Sequence, residues 1–76
     1  MDKNIFTRRL KSQRKILGLT QKQLAKALGI SERGYQHYES ASSFKPPSSI
    51  LLFAIAEALD ISADYLFGRT ANPKVK

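Results

Sequence analysis

The stretch that decides the fold is Thr20–Glu39, TQKQLAKALGISERGYQHYE. It holds two short helical patterns joined through one glycine, Gly29. The first opens with Thr20-Gln21-Lys22-Gln23, a capping box in which the Thr20 hydroxyl satisfies an amide near Gln23 and the Gln23 side chain reaches back. Leu24, Ala25 and Leu28 form its inner face, and Gly29 ends it by taking a left-handed conformation. Ser31 then caps a second helix running to about Ser40, with Tyr35 and Tyr38 inward. Only Gly29, Ile30 and Ser31 separate Leu28 from Glu32, so the two helices must cross at a large angle. The second helix has no leucine. It carries Glu32, Arg33, Gln36 and His37 outward, with Ser40 beside them. A chain of 76 residues buries only about 60% of its unfolded surface. A helix spent on such mixed polar side chains therefore calls for a reason outside the core.

Outward from this pair, the remaining signals are also helical. No alternating strand pattern and no Asn-Gly turn occurs, so the expected class is all-α, four to five short helices. A first helix is expected over about Ile5 to Leu17, with Phe6, Leu10 and Leu17 on one face and Ile16 beside them. Arg14 falls on that same inner face, an unusual place for a guanidinium. Gly18 stops the helix. After the serine-rich loop SASSFKPP, Pro46 and Pro47 suit the first turn of a fourth helix, Ser48 to Leu59. Leu52, Phe53, Ile55, Ala56 and Leu59 make its inner stripe. Leu51, Ala54 and Ala58 make the other side apolar too, which predicts burial on more than one side. Ser62 caps a last helix, Ala63 to Phe67, ended by Gly68. The expected organisation is one domain over 1–70 and a flexible tail over 71–76.

Charge is divided unevenly. Residues 1–38 hold nine basic and two acidic side chains, whereas residues 39–76 hold four of each. All of the net +7 lies in one half. That asymmetry fits an electrostatic face toward a polyanion; a solvated face for solubility is the alternative. The chain has no cysteine and one histidine, which leaves no disulfide framework and no metal-ligand set. No nucleophile–base pair, carboxylate pair or phosphate-cradling glycine loop is present, so neither catalysis nor a cofactor is expected. No apolar run approaches membrane-spanning length, and the N-terminus lacks a signal-peptide core, so a cytoplasmic protein is the expectation.

The pattern Gln21-x-x-Leu24-Ala25-x-x-x-Gly29-Ile30-Ser31, followed by Tyr35-x-x-Tyr38-Glu39, resembles the helix-turn-helix of the phage-repressor family, the Cro/C1-type or XRE regulators. RLKSQRKILGLTQ (9–21) is similar to that family's first helix and turn, and FAIAEALDISADYLFG (53–68) to its last two helices. The likeness covers about Ile5 to Thr70. It implies a lambda-repressor-like domain with the helix-turn-helix at helices 2 and 3, binding double-stranded operator DNA as a two-fold dimer.

Under that resemblance, helix 3 enters the major groove, where each base pair shows its own donor and acceptor pattern. Arg33 can donate twice to guanine, Glu32 can accept from cytosine, and Gln36 can pair with adenine. His37 can donate or accept. Arg33 alternatively touches phosphate or pairs with Glu32; Glu32 alternatively favours its own helix N-terminus. Gln21 is implied to face the DNA backbone and nearest base edge, with Thr20, Lys22, Ser43 and Lys45 as phosphate contacts. The resemblance also implies a partly buried ion pair between Arg14 and Glu39. Gly34, mid-helix, admits close approach either of DNA or of helix 2. Leu51, Ala63, Tyr65 and Phe67 are expected to serve self-association, or else to pack within the monomer. A protein-binding module such as an antitoxin is the competing function.

Overall fold

The computed structural model describes residues 3–73 and is helical throughout, with no strand among those residues. Five helices follow in order: α1 (Lys3–Ile16), α2 (Gln21–Leu28), α3 (Glu32–Glu39), α4 (Ser49–Leu59) and α5 (Ala63–Leu66). No helix among the described residues is long and apolar enough to cross a membrane.

Local chemistry sets the boundaries. Thr20 Oγ1 accepts from the Gln23 amide at 3.0 Å, while the Gln23 side chain accepts from the Thr20 amide at 2.8 Å. Both strands of the capping box are therefore present at the start of α2. Ser31, Ser48 and Ser62 cap α3, α4 and α5 through the same hydroxyl-to-amide bond three residues on. Gly29 closes α2 at φ 74°, a left-handed conformation that a Cβ would oppose, and its amide bonds Lys26 while that of Ile30 bonds Ala25. The turn into α3 needs nothing longer.

The core is small and contiguous. Phe6 and Leu10 of α1, Leu24 and Ala25 of α2, Tyr35 of α3, Ile55 and Leu59 of α4, Ile61, and Leu66 of α5 are all buried. Phe44 from the serine-rich loop lies edge-on to Phe6, with ring centroids 5.4 Å apart, and so closes the side between α1 and that loop. Each of the eight large side chains among them contributes on the order of 1.5–3 kcal/mol by burial.

Four expectations are corrected. Leu17 and Ile16 are exposed, Ile16 to 71%, because the inner line of α1 runs Phe6, Leu10, Arg14 and the chain then turns away at Gly18. Leu19, past that turn, packs in their place and donates its amide to the Arg14 carbonyl. Pro46 and Pro47 precede α4 rather than opening it, since Ser48 takes the cap position in extended conformation. Phe53 is 67% exposed: it sits one residue past Leu52, about 100° round the helix from the Leu52–Ile55–Leu59 stripe. For the same reason α4 is not covered on all sides, and Ile50, at 83% exposed, shares its bare face.

The segment from Tyr65 to Thr70 is held against α1. Arg9 Nη1 donates to the Tyr65 and Thr70 carbonyls at 2.6 and 2.8 Å, with its guanidinium 4.1 Å above the Tyr65 ring. Of the stretch 71–76, residues 71–73 are described, and the Pro73 carbonyl accepts from the Ser62 amide at 2.9 Å. The rest lies outside the described residues.

Candidate nucleic-acid interface

The outer side of α3 is built on a buried polar anchor. Arg14 and Glu39 meet beneath it, with side chains 8% and 3% exposed. Arg14 Nε donates to Glu39 Oε2 at 2.6 Å, Nη2 to Oε1 at 3.1 Å, and Nη1 to the Leu19 carbonyl at 2.7 Å. The Tyr35 hydroxyl donates to Glu39 Oε2, and Gln21 Nε2 donates to Oε1 at 3.0 Å. One carboxylate thus joins α1, α2 and α3. Burial pushes the Glu39 carboxyl up, but the hydrogen bonds from Arg14, Tyr35 and Gln21 outweigh it and hold it below its ordinary value. The bond to Glu39 raises Arg14 further, and burial, helped by that same carboxylate, pushes the Tyr35 phenol well up. The ring of Tyr35 fills core while its hydroxyl is satisfied, so this position takes a tyrosine without stranding a polar group.

With that anchor fixed, α3 turns Glu32, Arg33 and Gln36 to solvent. Glu32 and Arg33 form no ion pair with each other, nor with any other side chain among the described residues. An unpaired guanidinium and an unpaired carboxylate side by side leave both free for an outside partner. Gly34 lies between them and Tyr35. A Cβ there would meet only Ser31 Oγ, at 3.1 Å, and nothing from α2. Packing against helix 2 therefore does not explain this glycine.

His37 is more constrained than its spacing implied. Its Nδ1 lies 3.2 Å from the Ser43 carbonyl and 3.3 Å from Ser43 Oγ. The Ser43 carbonyl can only accept from the ring, whereas the Ser43 hydroxyl can also donate to it, so the tautomer sets which of the two contacts is the hydrogen bond. Ser40 Oγ bonds Ser42 Oγ at 3.1 Å and accepts from the Ser43 amide at 3.4 Å, which folds the serine-rich loop against α3. Arg33, Gln36, His37, Ser40 and Ser43 consequently line one shallow polar groove. Thr20 is committed to its cap, whereas Lys22 and Lys45 are exposed.

Among the basic side chains, Arg14 is neutralised internally by Glu39, and Arg9 is held by the Tyr65 and Thr70 carbonyls, a role that periodicity alone does not mark. The four residues expected to serve self-association are all half-buried. Phe67 packs 5.9 Å from the Phe6 ring, Tyr65 carries Arg9, and Leu51 packs against the core. Phe67 also borders a surface groove, with Pro46, Pro47 and Arg69, and Ala63 borders another, lined with Phe53, Ala56, Glu57, Asp60, Ile61 and Ser62. Bare apolar side chains lie at Ile50 and Phe53 of α4 and at Ile16 and Leu17 at the end of α1.

Comparison with known proteins agrees with this architecture. A helix-turn-helix family model matches residues 10–66. The uncharacterized HTH-type transcriptional regulator YobD of Bacillus subtilis (strain 168) is 40% identical over 72 residues, 95% of this chain and 62% of that protein. The cryptic phage CTXphi transcriptional repressor RstR of Vibrio cholerae is 46% identical over 64 residues, 84% of this chain and 55% of RstR. YazB of Bacillus subtilis, another HTH-type regulator, is 39% identical over 66 residues, 87% of this chain and 93% of YazB. The chain spans about three fifths of the length of YobD and somewhat more than half of RstR. Its match over three quarters of its length, with five helices in the expected order, makes it a member of the Cro/C1-type (XRE) helix-turn-helix family of transcriptional regulators.

Proposed function

We propose that this chain binds double-stranded DNA sequence-specifically, with α3 in the major groove, and regulates transcription as a repressor in the compartment that holds the DNA, the bacterial cytoplasm. The observation that carries the reading is the outer face of α3: Glu32, Arg33 and Gln36 stand exposed and unpaired on a helix anchored from below by a saturated ion-pair network. Such a face joins mixed base-reading chemistry to a fixed helix, the two requirements of direct readout. Lys22, Lys45 and Ser43 flank it and suit phosphate contact. The free amides at the start of α2 suit a phosphate as well. Similarity to RstR, a phage transcriptional repressor, favours repression.

The same reading includes a two-fold dimer. Ile50 and Phe53 form the largest apolar exposure outside the end of α1, continuous with the groove at Ala56, Ile61 and Ala63. Two copies abutting there would present two α3 helices, which a two-fold operator reads about one DNA turn, roughly 34 Å, apart.

Arg33→Ala tests the base-reading half. It should weaken binding by about 1–3 kcal/mol and relax the preference at one base position, whereas Lys22→Ala should weaken all sequences alike and reduce the salt dependence. Equal, sequence-independent losses in both variants would contradict base reading by α3.

A further inference from the structure

We infer that Glu39 is a positioning residue for DNA reading: it holds the Gln21 amide with the NH₂ inward and the oxygen outward, so that Gln21 meets the major groove as a hydrogen-bond acceptor for the exocyclic amino group of an adenine or cytosine. The inference rests on the DNA-binding reading above and names what one residue of that site takes.

Gln21 is the first residue of α2 and is half-buried at the junction with the end of α3. Its Nε2 donates to Glu39 Oε1 at 3.0 Å. That oxygen also accepts from Arg14 Nη2 at 3.1 Å, and Oε2 accepts from Arg14 Nε and from Tyr35. An ionised carboxylate accepts only, and this one already has four donors for its lone pairs. Turning the amide over would set a carbonyl oxygen against a carboxylate oxygen in a site only 3% exposed. The buried charge therefore dictates the orientation.

The other end of the amide follows by elimination. No buried side-chain nitrogen or oxygen among the described residues lacks a partner. Gln21 Oε1 receives no hydrogen bond among the described residues, so it reaches solvent, beside the contact that Nε2 makes with the end of α3. Phosphate oxygens cannot donate to it. In the major groove the base donors are adenine N6 and cytosine N4. An outward oxygen at this place selects one of these, and it distinguishes Gln21 from Lys22, its exposed donor-only neighbour.

The test uses a duplex of preferred sequence. Each adenine of one half-site is replaced in turn by purine, which lacks only the N6 amino group, and each cytosine by its analogue lacking the N4 amino group. Affinity is measured for the wild type and for Gln21→Ala, which leaves Arg14, Tyr35 and Glu39 paired. The wild type should lose about tenfold at one base, and Gln21→Ala should be indifferent at that base while remaining sensitive elsewhere. In the free protein, nuclear magnetic resonance should find one Gln21 Nε2 proton shifted downfield and slow to exchange, unlike those of exposed Gln36. Glu39→Gln, where it folds, should lose the same base preference without losing salt-dependent binding. The inference is overturned if Gln21→Ala and the wild type respond alike to every amino deletion, or if the Gln21 amide exchanges as Gln36 does. Salt-dependent DNA binding that persists in those cases leaves the broader reading standing; absence of any DNA binding overturns both.

Discussion

Glu39→Ala is the perturbation whose cost follows most directly from the geometry. Removing the carboxylate strands three donors at once: the Arg14 guanidinium, the Tyr35 hydroxyl and Gln21 Nε2. Arg14, 8% exposed, keeps its hydrogen bond to the Leu19 carbonyl but loses its counter-charge. Breaking a buried pair by deleting one partner costs about 3–5 kcal/mol. For a domain of this size each kcal/mol moves the unfolding midpoint by about 4–8 °C, so a fall on the order of 12–40 °C is expected in thermal melts followed by circular dichroism. The double variant Arg14→Met/Glu39→Ala should recover part of the loss, since an apolar pair no longer buries an unpaired charge. The pH dependence supplies an independent check. The folded-state carboxyl is held below its ordinary value of 4.5, so its contribution is fully present above that pH and is lost as pH falls through the folded value. The wild type should therefore lose stability below about 4.5 more steeply than the double variant. A loss under about 1 kcal/mol in Glu39→Ala, or no recovery in the double variant, would refute the claim that this pair is a buried anchor.

Three further outcomes are expected. Phe53→Glu places a charge at a side chain 67% exposed, so monomer stability should change by less than about 0.5 kcal/mol while self-association weakens; sedimentation equilibrium showing an unchanged dimer would reject the α4 face as the interface. Asp60 caps α4 at φ 55°, a left-handed conformation uncommon for a side-chain-bearing residue, and Asp60→Gly should stabilise the domain by about 0.5–1 kcal/mol in urea unfolding. Gly34→Ala gains about 1 kcal/mol of helix propensity but crowds the Ser31 cap at 3.1 Å, so stability should stay within about 1 kcal/mol of wild type. If the groove needs a bare backbone there, DNA affinity falls by more than stability does in a parallel titration.

The helices were legible because their ends are written locally. Thr20 with Gln23, and Ser31, Ser48 and Ser62 each with an amide three residues on, need no tertiary information to be read. The outward set on α3 was legible for a related reason: Tyr35 fixes which side is inward, and Glu32, Arg33 and Gln36 follow from the helical period. Orientation was lost where that contrast was missing. In SILLFAIAEAL the only charged residue is Glu57, so nothing in the pattern separates buried Ile55 from exposed Phe53. In α1 the helix ends at Ile16, so Leu17, expected on the inner face with Phe6 and Leu10, falls in the turn before Gly18 and outside the core. The Gln21–Glu39 bond joins residues 18 apart on different helices, and the Arg9 clamp spans 56 positions to Tyr65; neither leaves a periodic trace. The Arg14–Glu39 pairing itself was implied by family resemblance and not by spacing.

Selection from a random duplex library, with bound sequences read at low and at moderate salt, tests the central claim most directly. The account predicts an enriched inverted repeat whose half-sites lie about one helical turn apart, persisting at moderate salt. Binding that fades with salt and enriches no sequence would contradict it, because a basic surface alone would then explain the interaction and the side chains of α3 would read nothing.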